Sequence, residues 1–396
     1  MTILKGVYIV AAKRTAFGKF GGKLKDLNAT ALQVIANKAA IEQSKLRADQ
    51  IDSVIVGNIM HTSPDAGYLS RHSALKAGIP IHVPALTINR LCGSGFQSVV
   101  LGAQEIALGD SQVVLCGGTE SMSLAPFSLF GARFGHRLGT NLTLEDTLWS
   151  GLTDSYAQLP MALTAENLAE QHKITRQECD EFALRSQQRW KKAAESGAFN
   201  EEIAPVKVKG KKGEESFQVD EHVRPQATLQ EMAKLPAVFK KNGTVTAGNA
   251  SGICDGAGAI ILASEQAVKA NNLTPIARVV SYHVSGCDPK IMGIGPVPAI
   301  QSLLKKTKLD VSQIDLVDVN EAFAAQFLAV QKSLGLDPEK TNVNGGAIAL
   351  GHPLAASGSR ITANLAYELR RRKGKYAIGS ACIGGGQGIA VLLQSV

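Results

Sequence analysis

The chain has 396 residues, 45% of them hydrophobic and 19% charged, with a net charge of +8, a balance that excludes a disordered or low-complexity chain and leaves room for two domains or one duplicated unit. No run approaches the ~18 uninterrupted apolar residues of a membrane helix, and no basic stripe interleaved with aromatics offers a nucleic-acid surface. The six cysteines are widely spaced without C-x-x-C pairs, which predicts free thiols in a reducing compartment and no disulfide framework.

Taken in chain order, Val7 to Ala12 reads as a buried strand. It lies in a stretch, Met1 to Lys25, with six basic residues and no acidic one. That is the charge bias of an organelle-targeting segment, here necessarily uncleaved because it overlaps the fold. Gln50-Ile51-Asp52-Ser53-Val54-Ile55-Val56 follows, and it returns 263 residues later as Gln313-Ile314-Asp315-Leu316-Val317-Asp318-Val319. At the same offset Leu91-Cys92-Gly93-Ser94-Gly95 falls on Leu354-Ala355-Ala356-Ser357-Gly358. Each copy runs on into a helical stretch and an apolar strand: Gln97 to Leu108 then Val113-Val114-Leu115, and Arg360 to Arg371 then Tyr376-Ala377-Ile378. Two motifs at one offset predict a duplicated α/β fold with mixed sheets covered by helices. The expected halves are 1–119 with 249–271, and 272–396. Between them, 120–248 has a different texture and is expected to form a loop domain over a cleft. It carries a helical pattern from Thr164, whose hydroxyl is a candidate cap, to Lys192. A charged stretch, Val206 to Glu215, reads as a hairpin with a solvated tip at Lys209-Gly210-Lys211-Lys212-Gly213.

Three segments carry residue types suited to chemistry. Cys92, in Asn89-Arg90-Leu91-Cys92-Gly93-Ser94-Gly95-Phe96, sits in a glycine-rich turn between strand and helix. A helix N-terminus favours thiolate and is expected to lower the thiol pKa; a small buried cysteine beside a turn is the plain alternative. His352, held in Asn344 to Pro353 between Gly351 and Pro353, is a poor core filler and can polarise a carbonyl or ionise a thiol. The third, Gly379-Ser380-Ala381-Cys382-Ile383-Gly384-Gly385-Gly386-Gln387-Gly388, looks like a phosphate loop until Ile389 to Leu393 is seen to continue as a strand. A nucleotide loop needs a helix there, so these glycines are read as letting backbone N–H groups approach a reacting oxygen beside Cys382. Asn320-Glu321-Ala322-Phe323, ending the repeated strand, presents polar groups at a strand terminus. A zinc site from Cys92, His352 and Cys382 is disfavoured by their wide spacing, so no metal is expected.

Asn89 to Phe96, Asn320 to Phe323, Gly351-His352-Pro353 and Cys382 to Gly386 together resemble, in order, the four signature blocks of the thiolase family, and in detail its animal mitochondrial 3-ketoacyl branch. The resemblance runs from Val10 to the C-terminus. It implies a five-layered αβαβα fold of two related halves with a loop domain that helps bind coenzyme A. It also implies an acyltransferase that thiolyses 3-ketoacyl-CoA in β-oxidation, with coenzyme A as co-substrate and no permanent cofactor. By that analogy Cys92 takes the acyl group and Cys382 is the acid and base. His352 activates Cys92 and, with a water held by Asn320, stabilises the thioester enolate, and the N–H groups of Cys92 and Gly384 bind the tetrahedral oxyanion. Losing one such donor costs on the order of 3 kcal/mol. Coenzyme A contacts map onto Arg224, onto Thr228 next to an Ala227 that replaces a common hydroxyl, and onto Ser251. The family pattern usually has glycine where this chain has Ala355. If that position needs positive φ or close approach, the methyl costs about 1 kcal/mol or more, or narrows the pocket. Gln158 to Ala162 lacks the histidine of acetoacetyl-specific relatives, which favours broader 3-ketoacyl substrates, with Met161 and Met292 as pocket linings. The alternatives are an acetoacetyl-CoA-preferring thiolase, a ketoacyl synthase, which Cys382 argues against, and a non-catalytic acyl-CoA or lipid-binding relative. A homodimer or homotetramer, through a loop such as Ser128 to Leu138, and a mitochondrial matrix location, or else the cytosol, complete the expectations.

Overall fold

Strand β1 (Val7–Thr15) is buried along almost its whole length, which is why its sequence reads as an apolar run instead of alternating. The computed structural model to which it belongs describes residues 3–210 and 213–396. After β1 come α1 (Ala29–Ser44), β2 (Ser53–Gly57), α2 (Leu69–Lys76), β3 (Ala85–Ile88), α3 (Ser94–Leu108) and β4 (Val113–Ser121).

The chain then leaves the sheet. Where a single helix from Thr164 is expected there are two, α4 (Met161–Gln171) and α5 (Arg176–Glu195). Thr164 lies inside α4 and donates to the Met161 carbonyl at 2.6 Å. The cap belongs to Thr175, whose hydroxyl accepts from the Glu178 N–H while the Glu178 carboxylate accepts from the Thr175 N–H. This capping box restarts the helix after left-handed Lys173. The hairpin β5 (Val206–Gly210) with β6 (Gly213–Phe217) forms as expected; Lys211 and Lys212, at its tip, lie outside the described residues. Arg14 on β1 is fully buried and pairs with Glu202 and Asp220 of the excursion, and Trp190 donates to the same Asp220. Removing one partner there leaves an uncompensated buried charge.

The chain rejoins as β7 (Cys254–Ser264), which pairs antiparallel with β4 from Asp255↔Ser121 to Ala263↔Val113. The second half follows: β8 (Ala277–Gly286), α6 (Pro296–Thr307), β9 (Leu316–Val319), α7 (Ala324–Leu334), α8 (Ala356–Arg372), β10 (Tyr376–Ile383) and β11 (Gln387–Gln394).

The duplication seen in sequence is a duplication of topology. In the first half β1 is antiparallel to β7, β7 antiparallel to β4, and β4 and β3 both parallel to β2. In the second, β8 is antiparallel to β11, β11 antiparallel to β10, and β10 parallel to β9, with a parallel bridge from Val317 to Thr341 in place of the fifth strand. The halves join edge to edge through two residue pairs, Tyr8↔Arg278 and Ile9↔Ala277, in one sheet of order β9-β10-β11-β8-β1-β7-β4-β2-β3, with Gly18–Lys19 and Ile203–Ala204 added at the side.

Three cores separate five layers. The middle one packs Phe96, Val99 and Ala103 of α3 and Ile361 and Leu365 of α8 between both sets of strands. One outer core holds α1 and α2 against the first set; the other holds α6 and α7 against the second, with α4 and α5 packed on top and Phe182 stacked on Phe327 at 4.2 Å. Helix α8 is buried from Ala356 to Leu369, as a helix enclosed on all sides must be. Its polar residues are paired internally: Arg360 with Asp318, and Asn364 with Asn344. The αβαβα architecture follows from these burials. No helix among the described residues is long and apolar enough to cross a membrane.

Candidate active site

Because α3 and α8 are the two central helices of one pseudo-symmetric sandwich, the turns that precede them come to the same end of the molecule. Cys92 stands in the turn from β3 to α3. Leu91 there is left-handed, φ +44°, a strained conformation for a side chain of that size, on the order of 1–2 kcal/mol. It is held by hydrogen bonds: the Leu91 N–H to the Asn89 carboxamide at 2.9 Å, the Arg90 N–H to the Ser94 hydroxyl at 2.8 Å, and that hydroxyl to the Leu91 carbonyl at 2.7 Å. Gly93 is packed so closely on Ile383 that a Cβ would come within 2.6 Å of it.

The electrostatics of Cys92 differ from the expectation. Closure of the site around the sulfur pushes the thiol up to about 11, against the backbone N–H groups of Gly384 and of Cys92 itself, which favour thiolate; the nearby Glu120 carboxylate adds to the rise. Desolvation outweighs the helix terminus. The resting group is therefore a thiol that has to be deprotonated during reaction.

His352 lies in the turn before α8. Gly351 is left-handed, φ +101°, and a Cβ on it would meet the Cys254 sulfur at 2.1 Å, so this glycine is required twice over. The His352 N–H donates to the Gly252 carbonyl. Its Nδ1 is 2.6 Å from the Ser357 hydroxyl, which donates its own proton to the Pro353 carbonyl. Nδ1 is therefore the protonated nitrogen, and the Nε2 lone pair faces the Asn320 amide at 3.3 Å. Burial, with Arg360 nearby, lowers the imidazole to about 3: His352 rests neutral, with its unprotonated Nε2 toward the Asn320 amide. Asn320 is itself fully buried, and its Oδ1 has no partner among the described residues. Next to it Glu321 accepts from Ser186, Asn342 and the Ile348 N–H, bracing the segment that leads to His352.

Cys382 is the penultimate residue of β10, and Gly384-Gly385-Gly386 form the hairpin to β11, with φ of +79° and +83° at the last two. Burial raises the Cys382 thiol well above its ordinary value, helped by Cys92 and Cys287. All six cysteines are free. No cluster of three or more His, Cys, Asp or Glu fit to hold a metal occurs among the described residues.

Cys92, His352, Cys382 and Gly384 line one cavity of about 430 Å³ together with Ser251, Met161 and Met292. Apart from Asp146 its walls are otherwise mainly apolar, with Leu148, Trp149, Phe239 and Phe323 contributed from the excursion and from the β9–α7 junction. Asn320 supports His352 from behind. Arg224 lies apart, in a neighbouring groove with His222, Ala227, Glu231 and Gly248. The two spaces meet where the His222 ring packs on Gly252. Thr228 faces neither; its hydroxyl caps the short helix Leu229–Ala233 in a box with Glu231.

Sequence reasoning missed Ser357, although the repeat had aligned it with Ser94, another hydroxyl that ties the turn before a central helix. It also missed Glu120, which looks like one more residue of an apolar strand. Ala355, flagged for its methyl, is right-handed at φ −70° and ψ −25° and fully buried, and it does not line the cavity. Neither a positive φ nor a narrowed pocket follows from it.

Comparison with known proteins comes out on one family. The model of the thiolase N-terminal domain matches residues 7–266 and that of the thiolase C-terminal domain residues 273–395. The chain is 65% identical over 395 residues to the human mitochondrial 3-ketoacyl-CoA thiolase, covering 100% of both chains. It is 46% identical over 391 residues to the β-ketothiolase BktB of Cupriavidus necator, covering 98% and 99%. A crystal structure of the human mitochondrial 3-ketoacyl-CoA thiolase in complex with CoA superposes with a TM-score of 0.98 at 64% identity, covering 100% of this chain and 99% of that one.

Proposed function

The chain belongs to the thiolase family, and from that premise we propose that it is a 3-ketoacyl-CoA thiolase of fatty acid β-oxidation, cleaving its substrate with coenzyme A to acetyl-CoA and an acyl-CoA two carbons shorter. The observation that carries the reading is the meeting, on one apolar cavity, of two thiols, a neutral imidazole and the N–H groups of a glycine hairpin.

The chemistry assigned to these groups runs as follows. Neutral His352 takes the Cys92 proton at Nε2 as the sulfur attacks C3 of the 3-ketoacyl thioester. The tetrahedral oxyanion is held by the N–H groups of Cys92 and Gly384, which already lie against the sulfur. The C2–C3 bond breaks, its electron pair passing to the acetyl-CoA enolate, whose thioester oxygen is assigned to His352 and to a water held by Asn320. Cys382 gives its proton to C2. The Cys382 thiolate then deprotonates coenzyme A, whose sulfur displaces the acyl group from Cys92, and the departing Cys92 sulfur takes its proton back from His352. Apolar walls support this sequence, because excluding water protects the acyl-cysteine from hydrolysis and strengthens each charge contact.

Coenzyme A is the co-substrate, and no permanent cofactor is assigned. Ser251 in the cavity and Arg224 in the adjoining groove are its assigned contacts, a guanidinium suiting a phosphate. Thr228 serves this groove through the helix it caps, whose Glu231 and Met232 line the groove. The loop domain is assigned to 120–248, and the halves to 1–119 with 249–271 and to 272–396. The relatives' names support a mitochondrial location. Exposed Phe130, Phe134 and Leu138, on the Ser128–Leu138 loop, support assembly into a dimer or tetramer.

The test is thiolysis of a 3-ketoacyl-CoA chain-length series, followed by loss of ketoacyl-CoA absorbance, with Cys92→Ala alongside. Turnover that vanishes in the variant is expected. A folded protein that binds acyl-CoA yet turns over no chain length overturns the proposal.

A further inference from the structure

Glu120, near the end of β4, is fully buried in the first half of the molecule. Its Oε1 accepts from the Asn58 side-chain amide at 3.0 Å and from the N–H groups of Ile59 at 3.3 Å and Met60 at 2.9 Å, in the loop that follows β2. Its Oε2 accepts from the Ala355 N–H at 3.2 Å, at the start of α8 in the second half. Around that contact the halves approach backbone to backbone. A Cβ on Gly118 would come within 1.9 Å of the Ala355 carbonyl oxygen, and one on Gly95 within 2.6 Å of it. The Ala355 N–H is one of the donors that any helix start leaves without an intrahelical partner, and Glu120 is the acceptor it meets.

We propose that Glu120 is a positioning residue, the polar tie that sets the helix bearing the His352 turn at its working distance from Cys92. Through one carboxylate it fixes three groups of the first half and the first N–H of the helix whose Ser357 orients His352. Met60, on the tied loop, packs with Leu148 and Leu354 in the apolar cluster that borders Cys92, so the same tie shapes the wall beside the nucleophile. Four donors and no acceptor suit the ionised form, whereas burial and the Asp255 carboxylate on β7 oppose it and push Glu120 up to about 8. Of the other elements packed on it, the β2 loop and the α8 turn present only neutral donors, and the turn before α3 presents Cys92.

This inference rests on the thiolase reading for its rate measurement and on the geometry alone for a second one. Glu120→Gln keeps the shape but places an amide group against a ring of donors. Asn58→Ala removes one tie and keeps the charge. Thiolysis kcat is expected to fall roughly 10-fold or more in Glu120→Gln and a few-fold in Asn58→Ala, with KM within about 2-fold, since misplacing a reacting group acts on the chemical step. Alkylation of Cys92 by iodoacetamide, read by mass spectrometry of the Cys92 peptide from pH 6 to 11, separates positioning from general loosening. Removing the carboxylate charge moves the Cys92 step to lower pH in Glu120→Gln, while Asn58→Ala leaves it where it is in the parent. Unchanged kcat in both variants overturns the proposal, as does an equal downward shift of the alkylation step in both. If Glu120→Gln does not fold, Asn58→Ala decides alone: reduced kcat with an unmoved alkylation step supports the tie, and parental kcat refutes it. A protein with no thiolysis at all fails the functional reading, yet its alkylation profiles still report on the tie.

Discussion

Replacing Ala355 by glycine, the residue more usual in the family at this position, is predicted to make this protein worse. The position is right-handed, φ −70° and ψ −25°, so glycine relieves no strain there. Its methyl is fully buried, and deleting one buried methyl costs on the order of 1 kcal/mol. Glycine also loses more backbone freedom on folding, roughly 0.5–1 kcal/mol. Together these give about 1.5–2 kcal/mol of destabilisation. The Ala355 N–H still meets Glu120 and its carbonyl still faces Gly118 in the variant, and the residue is absent from the cavity wall, so kcat and KM stay within about 2-fold of the parent. Urea unfolding followed by circular dichroism, with thiolysis measured on the same samples, checks both halves of the claim. A variant as stable as the parent, or one whose thiolysis rises about 10-fold, refutes the reasoning and restores the idea that the methyl impairs the site.

Three further outcomes follow from the site. Ser357→Ala removes the hydroxyl that orients the imidazole at Nδ1; kcat is expected to fall roughly 10- to 100-fold with KM nearly constant, and an unchanged kcat contradicts the assigned tautomer. Gly118→Ala drives a Cβ into the Ala355 carbonyl oxygen, backbone against backbone, so soluble yield collapses or stability drops by about 3 kcal/mol; a parental melting curve would show that the halves are looser than described. His352 is held at about 3 in the folded protein against an ordinary 6.5. The unfolded chain therefore takes up a proton that the native state refuses, and stability present above pH 6.5 is lost as the pH falls toward 3, by roughly 5 kcal/mol at most. His352→Asn is expected to flatten that acid limb in urea midpoints measured from pH 3.5 to 7, and an equally steep limb would assign the effect elsewhere.

How far the sequence carries the account depends on which forces are local. The 263-residue repeat sets the topology of both halves, because strand order and central helices recur wherever Gln-Ile-Asp and the helix that follows recur. Turn chemistry is equally legible: Asn89 to Phe96 and Gly351 to Pro353 hold glycines and small hydroxyls whose geometry leaves few choices. What depends on burial is not. Cys92 at a helix start reads as an acidified thiol, and only the closed cavity reverses the sign. Glu120 is silent in the sequence because its four donors come from two distant segments, the loop 58–60 and the start of α8. Thr164 reads as the cap of one long helix; left-handed Lys173, which breaks that helix, gives the role to Thr175. Arg224 and Ser251, assigned to one ligand, lie in separate spaces whose continuity depends on how His222 packs on Gly252.

The most direct test of the central claim traps the intermediate. Mixing the protein with 3-ketoacyl-CoA in the absence of free coenzyme A, quenching in acid within one turnover and mapping the digest by mass spectrometry should find an acyl group two carbons shorter than the substrate on the peptide bearing Cys92, and none when Cys92 is alanine. An acyl adduct on Cys382, or steady thiolysis by the Cys92→Ala protein, would contradict the assignment of nucleophile and base on which the account stands.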